Sequence, residues 1–266
     1  NYVITYDIPS KKVVSYFKMD GSGLNQVVSE KGDVMAWLKD NNIYITDVNG
    51  KVTQITNDAA GFLNGSDYTH RQEFGIDRGM WWNPTANQLA FYKKNETMVT
   101  DYPLVQFDTR IAEVKNTKYP MAGMKSEEVT LNVYDVNSGK TITIQTGEPK
   151  EQYLTQITWD PSGKYIYIGV LNRDQNHLKL NKYDAANGKF VSTLFEEKST
   201  KWVEPQNPLT FLPNGKQFLY QSQKDGYNQL YLYDTNGKLI KKLGYNNVVV
   251  KDLLDFDAKG NSVSYI

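Results

Sequence analysis

The sequence predicts an all-β chain, and three observations carry that expectation. Nineteen tyrosines and five tryptophans among 266 residues favour pleated, half-buried surfaces. Short runs alternate with the period of two that a strand imposes, as in Tyr165-Ile166-Tyr167-Ile168 and Leu230-Tyr231-Leu232-Tyr233. Turn signals of two kinds follow one another along the chain, and together they define a repeat.

The first kind is an acidic turn: Tyr6-Asp7, Thr46-Asp47 with Gly50-Lys51, Tyr134-Asp135 with Gly139-Lys140, Tyr183-Asp184 with Gly188-Lys189, and Tyr233-Asp234 with Gly237-Lys238. Asp bonds its own backbone in a tight reversal and Gly supplies positive φ, so each marks a hairpin. The second kind is Trp82-Asn83-Pro84, Trp159-Asp160-Pro161 with Gly163-Lys164, Phe211-Leu212-Pro213 with Gly215-Lys216, and Phe256-Asp257 with Lys259-Gly260. Two turns in a period of about 40 to 50 residues give four strands per repeat, the blade of a β-propeller.

In order along the chain, Asn1 to Tyr6 alternates as a strand and opens a half-blade at residues 1–18. Complete blades are expected at 24–57, 68–147, 153–197 and 202–243, and a second half-blade at 248–266. The acidic turns at 7, 47, 135, 184 and 234 are spaced by 40, 88, 49 and 50 residues, and the doubled gap marks an insertion at 94–128 in the second complete blade. Its prolines, Pro103 and Pro120, keep it out of a central strand, so it is expected as an excursion over the surface. With half-blades at both ends, either the halves pair to close a small ring or the chain is a piece of a larger one, and the second is the expectation.

Composition narrows the function classes. Thirty basic and thirty acidic side chains cancel, leaving no basic footprint for nucleic acid or an anionic membrane. No run is long and apolar enough for a membrane-spanning helix. With no cysteine and only His70 and His177, a zinc site has no ligand set. The Asp-Asn turns are explained by backbone geometry without calcium, and no phosphate-binding glycine loop occurs. No metal, cofactor or catalytic residue is therefore expected, and no Gly-x-Ser-x-Gly elbow is present.

The unusual stretch is Asp67-Tyr68-Thr69-His70-Arg71-Gln72-Glu73-Phe74-Gly75 before Trp81-Trp82. In an extended segment Arg71 and Glu73 share a side, so two readings stand: a structural ion pair, or a carboxylate held ready for a ligand amine. Arg173, within Asn172 to Asn176, suits a substrate carbonyl or a stitch between blades. Trp202 to Pro208 suits a cavity wall or simple packing. Glu127-Glu128 is explained by a solvated loop.

With these residues in view, the sequence resembles the N-terminal β-propeller of the dipeptidyl peptidase IV family of serine exopeptidases, and most of all the bacterial prolyl tripeptidyl peptidases. The resemblance rests on Glu73-Phe74-Gly75 with Trp81-Trp82-Asn83-Pro84, Asn95-Glu96-Thr97 leading to Tyr102-Pro103, Tyr119-Pro120-Met121-Ala122-Gly123, Leu171 to Asn176, Trp202-Val203-Glu204-Pro205, and Asp225-Gly226-Tyr227, in the family's order. It implies an eight-bladed ring over an α/β-hydrolase domain outside this chain, a peptide substrate between the two, a homodimer, and a secreted or periplasmic bacterial location. Dipeptidyl members grip the substrate N-terminus with two adjacent glutamates; here those positions are Arg71 and Gln72, and Glu73 alone is acidic. The resemblance therefore implies that Glu73 binds the amine, supported by Arg71, Gln72 and Arg173, in an enzyme releasing Pro-ended tripeptides or dipeptides. The alternatives are a non-catalytic propeller that binds a protein or glycan, and a propeller glycosidase with inward carboxylates from several blades.

Overall fold

The computed structural model describes residues 2–18, 23–245, 247–257 and 259–266. Asn1 and Ala258, which fall within the two expected half-blades, lie outside the described residues. Strands β1 (Tyr2–Asp7) and β2 (Lys12–Lys18) form the first two-stranded sheet, and β3 (Leu24–Val28), β4 (Val34–Lys39), β5 (Asn42–Asp47) and β6 (Val52–Gln54) the first four-stranded one. The next sheet contains β7 (Phe62–Asn64), β8 (Met80–Trp82), β9 (Gln88–Asn95), then β12 and β13; β10 (Asp101–Gln106) and β11 (Glu113–Lys118) pair apart from it before β12 (Glu128–Asp135) and β13 (Lys140–Thr143) complete it. Two more four-stranded sheets follow, β14 (Gln152–Trp159), β15 (Tyr165–Asn172), β16 (His177–Asp184), β17 (Phe190–Lys198), and β18 (Thr210–Phe211), β19 (Gln217–Ser222), β20 (Gln229–Asp234), β21 (Leu239–Lys242). The hairpin β22 (Leu253–Phe256) and β23 (Val263–Tyr265) ends the chain. Every pairing among the described residues is antiparallel and joins chain neighbours, except that β9 also pairs with β7 and β12, and the architecture is a β-propeller of four full blades flanked by two half-blades.

The turns form as the sequence dictates. Asp47 Oδ1 accepts from the backbone of Asn49 (2.9 Å) and Lys51 (3.0 Å), and Gly50 takes φ +75°. Asp234 repeats the arrangement with Asn236 and Lys238, both at 2.9 Å, and Gly237 at φ +89°. The core lies between successive blades. Ala36 and Leu38 pack against Met80, Leu89 and Phe91; Tyr92 and Leu131 against Leu154, Ile166 and Ile168; and Tyr167, Leu178 and Leu180 against Phe218, Tyr220 and Tyr231. The central strands of the full blades thus bury both faces against neighbouring sheets, which is why they are rich in apolar residues.

One expected boundary needs correction. The second full blade begins at Phe62, ahead of residue 68, because its innermost strand is split: β7 and β8 both pair with β9, and residues 65–79 leave the sheet between them. The 94–128 insertion contains a paired segment of its own. It carries the β10–β11 hairpin, in which Pro103 sits opposite Asn116 and every side chain is exposed. A two-stranded ribbon needs hydrogen bonds on one edge only, so proline is tolerated there.

Candidate functional site

The 65–79 loop is closed at its neck by backbone. Gly65 donates to the Tyr92 carbonyl (2.7 Å) and Tyr92 donates to the Gly79 carbonyl (3.0 Å), so one residue of β9 bridges both ends. A Cβ on Gly79 would collide with the backbone of Gly65 and Ser66, so the neck requires glycine. Inside the loop, His70, Arg71 and Gln72 take φ of 50°, 54° and 60°, a full turn of left-handed backbone. Glu73 returns to extended geometry (φ −67°, ψ 164°), and Phe74 and Gly75 are left-handed again at 58° and 69°. For a residue with a Cβ this conformation costs roughly 1–2 kcal/mol, so four such residues persist only because their surroundings hold them.

The holding groups are specific. Phe74 is buried in the core between the last two full blades, its ring 5.0 Å from that of Tyr153. His70 is buried, and its Nε2 accepts from the Leu154 backbone N–H at 3.2 Å. That bond places the ring proton on Nδ1, which faces Glu127 Oε1 at 3.5 Å. The same Oε1 accepts from the His70 backbone N–H at 3.0 Å, and Glu127 Oε2 lies 3.6 Å from Lys94 Nζ. Lys94 in turn pairs with Glu96 at 3.3 Å. Burial pulls the His70 pKa below its ordinary value against the opposing pull of Glu127, with Lys94 and Arg71 adding to the fall. Burial works against ionisation of Glu127, but His70 and Lys94 outweigh it and hold that carboxyl below its usual range. The cluster is therefore a carboxylate between a neutral imidazole and an ammonium. Glu127 is not on a solvated loop, as the sequence suggests, since its side chain is 9% exposed.

Glu73 is exposed, and among the described residues it forms no ion pair. The left-handed turn separates it from Arg71, whose guanidinium instead lies 4.5 Å above the Tyr119 ring. The segment is not extended, so the shared side assumed for Arg71 and Glu73 does not exist. Gln72 is exposed on the same turn. Arg173 reaches the group through Tyr153: its Nη1 donates to the Tyr153 hydroxyl at 2.9 Å, and the Tyr153 ring lies 5.1 Å from His70. Tyr153, absent from the sequence-level candidates, thus joins Arg173 to the loop. Its signal was weak, one tyrosine among nineteen.

Beyond Phe74 a crevice of about 570 Å³ opens, lined by Gly75, Arg78, Trp82, Trp159 and Pro208 among others. Gly75 is pressed against the backbone oxygen of Gln206, which ties the loop to the 202–208 segment. Trp202 at the head of that segment is exposed. The arrangement offers an exposed carboxylate on a constrained turn beside a crevice of mixed polar and apolar lining, a geometry suited to binding an alkylammonium. Both ring nitrogens of His70 are engaged, by the Leu154 N–H and by Glu127, and His177 Nε2 is 2.7 Å from Glu196 on β17.

The family profile described as the dipeptidyl peptidase IV N-terminal region matches residues 1–266. A Bacteroides ovatus protein whose crystal structure is assigned as a dipeptidyl aminopeptidase IV superposes with a TM-score of 0.89 at 39% identity, covering 99% of this chain and 39% of its own. The dipeptidyl peptidase 4 of Porphyromonas gingivalis superposes at 0.82 with 27% identity, covering 97% and 37%. The dipeptidyl-aminopeptidase B of Aspergillus niger is 29% identical over 216 residues, 73% of this chain and 24% of that protein. The chain therefore spans about a quarter of the length of its curated relatives and under two-fifths of the solved ones. Among the described residues no helix is long and apolar enough to cross a membrane.

Proposed function

We propose, from the premise that the chain belongs to the dipeptidyl peptidase IV N-terminal region family, that it is the propeller of a serine exopeptidase and recognises the substrate's N-terminus. In this reading the propeller confines entry to short peptides, Glu73 binds the free α-amine, and the bond is cut by a serine on a C-terminal α/β-hydrolase domain of the same full-length protein. Arg173 serves by holding Tyr153 against the loop, and Arg71 and Gln72 leave Glu73 as the sole carboxylate at the grip. One acidic position in place of two favours release of tripeptides ending in proline, with dipeptides as the runner-up.

The observation that carries the reading is the state of Glu73. It is exposed and free of an ion pair among the described residues, yet carried on a backbone that its neighbours fix. A structural ion pair would have engaged it with Arg71, which is committed to Tyr119. A carboxylate fixed in space sets how many residues lie between the amine and the scissile bond. The location we propose is secreted or periplasmic. For the homodimer, we propose the β10–β11 arm, whose tip residues Phe107 and Ile111 are each 83% exposed, as a contact.

The test is product length. The full-length enzyme, given peptides with proline second or third from a free N-terminus, is expected to release tripeptides with proline third, identified by mass spectrometry. Release of dipeptides alone would overturn the tripeptidyl assignment, and no cleavage of either series would overturn the peptidase reading.

A further inference from the structure

We propose that Glu127 is the positioning residue that holds the 70–74 turn, and with it Glu73, in the shape that binds substrate. The proposal rests on the amine-anchor reading of Glu73 and adds to it a residue 54 positions away in the chain. Three consecutive left-handed residues need an outside restraint, and Glu127 supplies it. It accepts the backbone N–H of His70, the first of the three, at 3.0 Å, and it faces the ring proton of the same residue at 3.5 Å. Without that carboxylate the His70 N–H would be a buried donor with no acceptor.

The groups around this contact come from every neighbouring element. Lys94 near the end of β9 lies 3.6 Å from Glu127 and Glu96 balances it at 3.3 Å. The Tyr92 and Tyr153 rings meet His70 edge-on at 6.2 and 5.1 Å. Arg71 sits over Tyr119, which donates its backbone N–H to Thr100 at the root of the arm. Lys94 and Glu96 stand where the chain departs towards β10, and Tyr119 and Glu127 where it returns from β11. The returning foot therefore touches the turn directly, through Tyr119 and Glu127, and the outgoing foot reaches it through the Lys94–Glu127 pair.

The experiment uses the full-length enzyme with Glu127→Ala, Glu127→Gln and Glu73→Gln. Hydrogen exchange of the peptide spanning residues 68–76 reads the turn directly. Glu127→Ala is expected to speed it at least about tenfold, the scale of one charge-assisted hydrogen bond, while peptides from β15 and β16 are unchanged. Kinetics with free-amine tripeptidyl substrates are expected to show KM raised about tenfold with kcat nearly preserved, since a merely structural loss would lower the active fraction and leave KM alone. Glu127→Gln, which keeps the acceptor oxygen and loses the charge, is expected to fall between Ala and wild type in both readouts. It carries the test if the alanine variant does not fold. Exchange unchanged in every folded Glu127 variant would overturn the proposal. So would faster exchange with unchanged KM while Glu73→Gln raises KM. A Glu73→Gln enzyme with normal KM would instead overturn the anchor reading, and exchange alone would then decide whether Glu127 holds the turn.

Discussion

Replacing Gly75 with alanine isolates how tightly the loop is seated. Gly75 has φ +69°, and a Cβ there would run into the carbonyl oxygen of Gln206, with the Gln206 carbonyl carbon at 2.9 Å and Cα at 3.4 Å behind it. The left-handed conformation costs alanine roughly 1–2 kcal/mol, and displacing packed backbone adds about 1–3 kcal/mol. The expected loss is therefore about 2–5 kcal/mol. Gly50→Ala is the internal control: φ is +75° and nothing lies within 4 Å of the added methyl, so only the conformational part remains. Urea unfolding of both variants, followed by the midpoint at constant slope, should show the Gly75 variant the weaker by the contact contribution. Equal losses at the two sites would refute the claim that the loop is pressed against the 202–208 segment.

Two further outcomes follow from the blade interfaces. Tyr92→Phe removes a hydroxyl that donates to the Leu154 carbonyl at 2.5 Å inside a fully buried site; the orphaned carbonyl should lower stability by about 1–3 kcal/mol, measured by urea unfolding. Glu197→Gln should stabilise the protein at neutral pH. Burial raises the Glu197 pKa despite Ser222 and Lys224, and its Oε1 has no partner among the described residues. A carboxyl raised on folding contributes stability that is full below its unfolded pKa of about 4.3 and is lost as pH climbs through the folded value. The variant's advantage should therefore shrink towards pH 4 and grow towards pH 8 in thermal melts.

The blades were legible because each is set by local chemistry. An Asp that bonds the next backbone amides and a Gly at positive φ mark a hairpin wherever they fall, and Asp47 and Asp234 do this with nearly identical geometry. The loop around Glu73 was legible as unusual but not in shape. Nothing in His70-Arg71-Gln72 announces a left-handed turn, because the residues that impose it, Glu127, Leu154 and Tyr153, lie 57 to 84 positions away or act through ring contacts. For the same reason Glu127 passes for a surface residue until Lys94 and His70 are seen beside it. The split of the inner strand into β7 and β8 was hidden because Phe62-Leu63-Asn64 is too short to register as a strand on its own.

The central claim, that Glu73 binds the substrate amine, is tested most directly by Glu73→Gln in the full-length enzyme, comparing substrates with free and acetylated N-termini. A charge-assisted hydrogen bond of about 1.5–3 kcal/mol corresponds to a loss of roughly 10- to 100-fold in kcat/KM for the free-amine substrate. The acetylated substrate, which has no ammonium to hold, should be turned over as slowly by the variant as by the wild type. A variant that still prefers the free amine by the wild-type ratio would contradict the account.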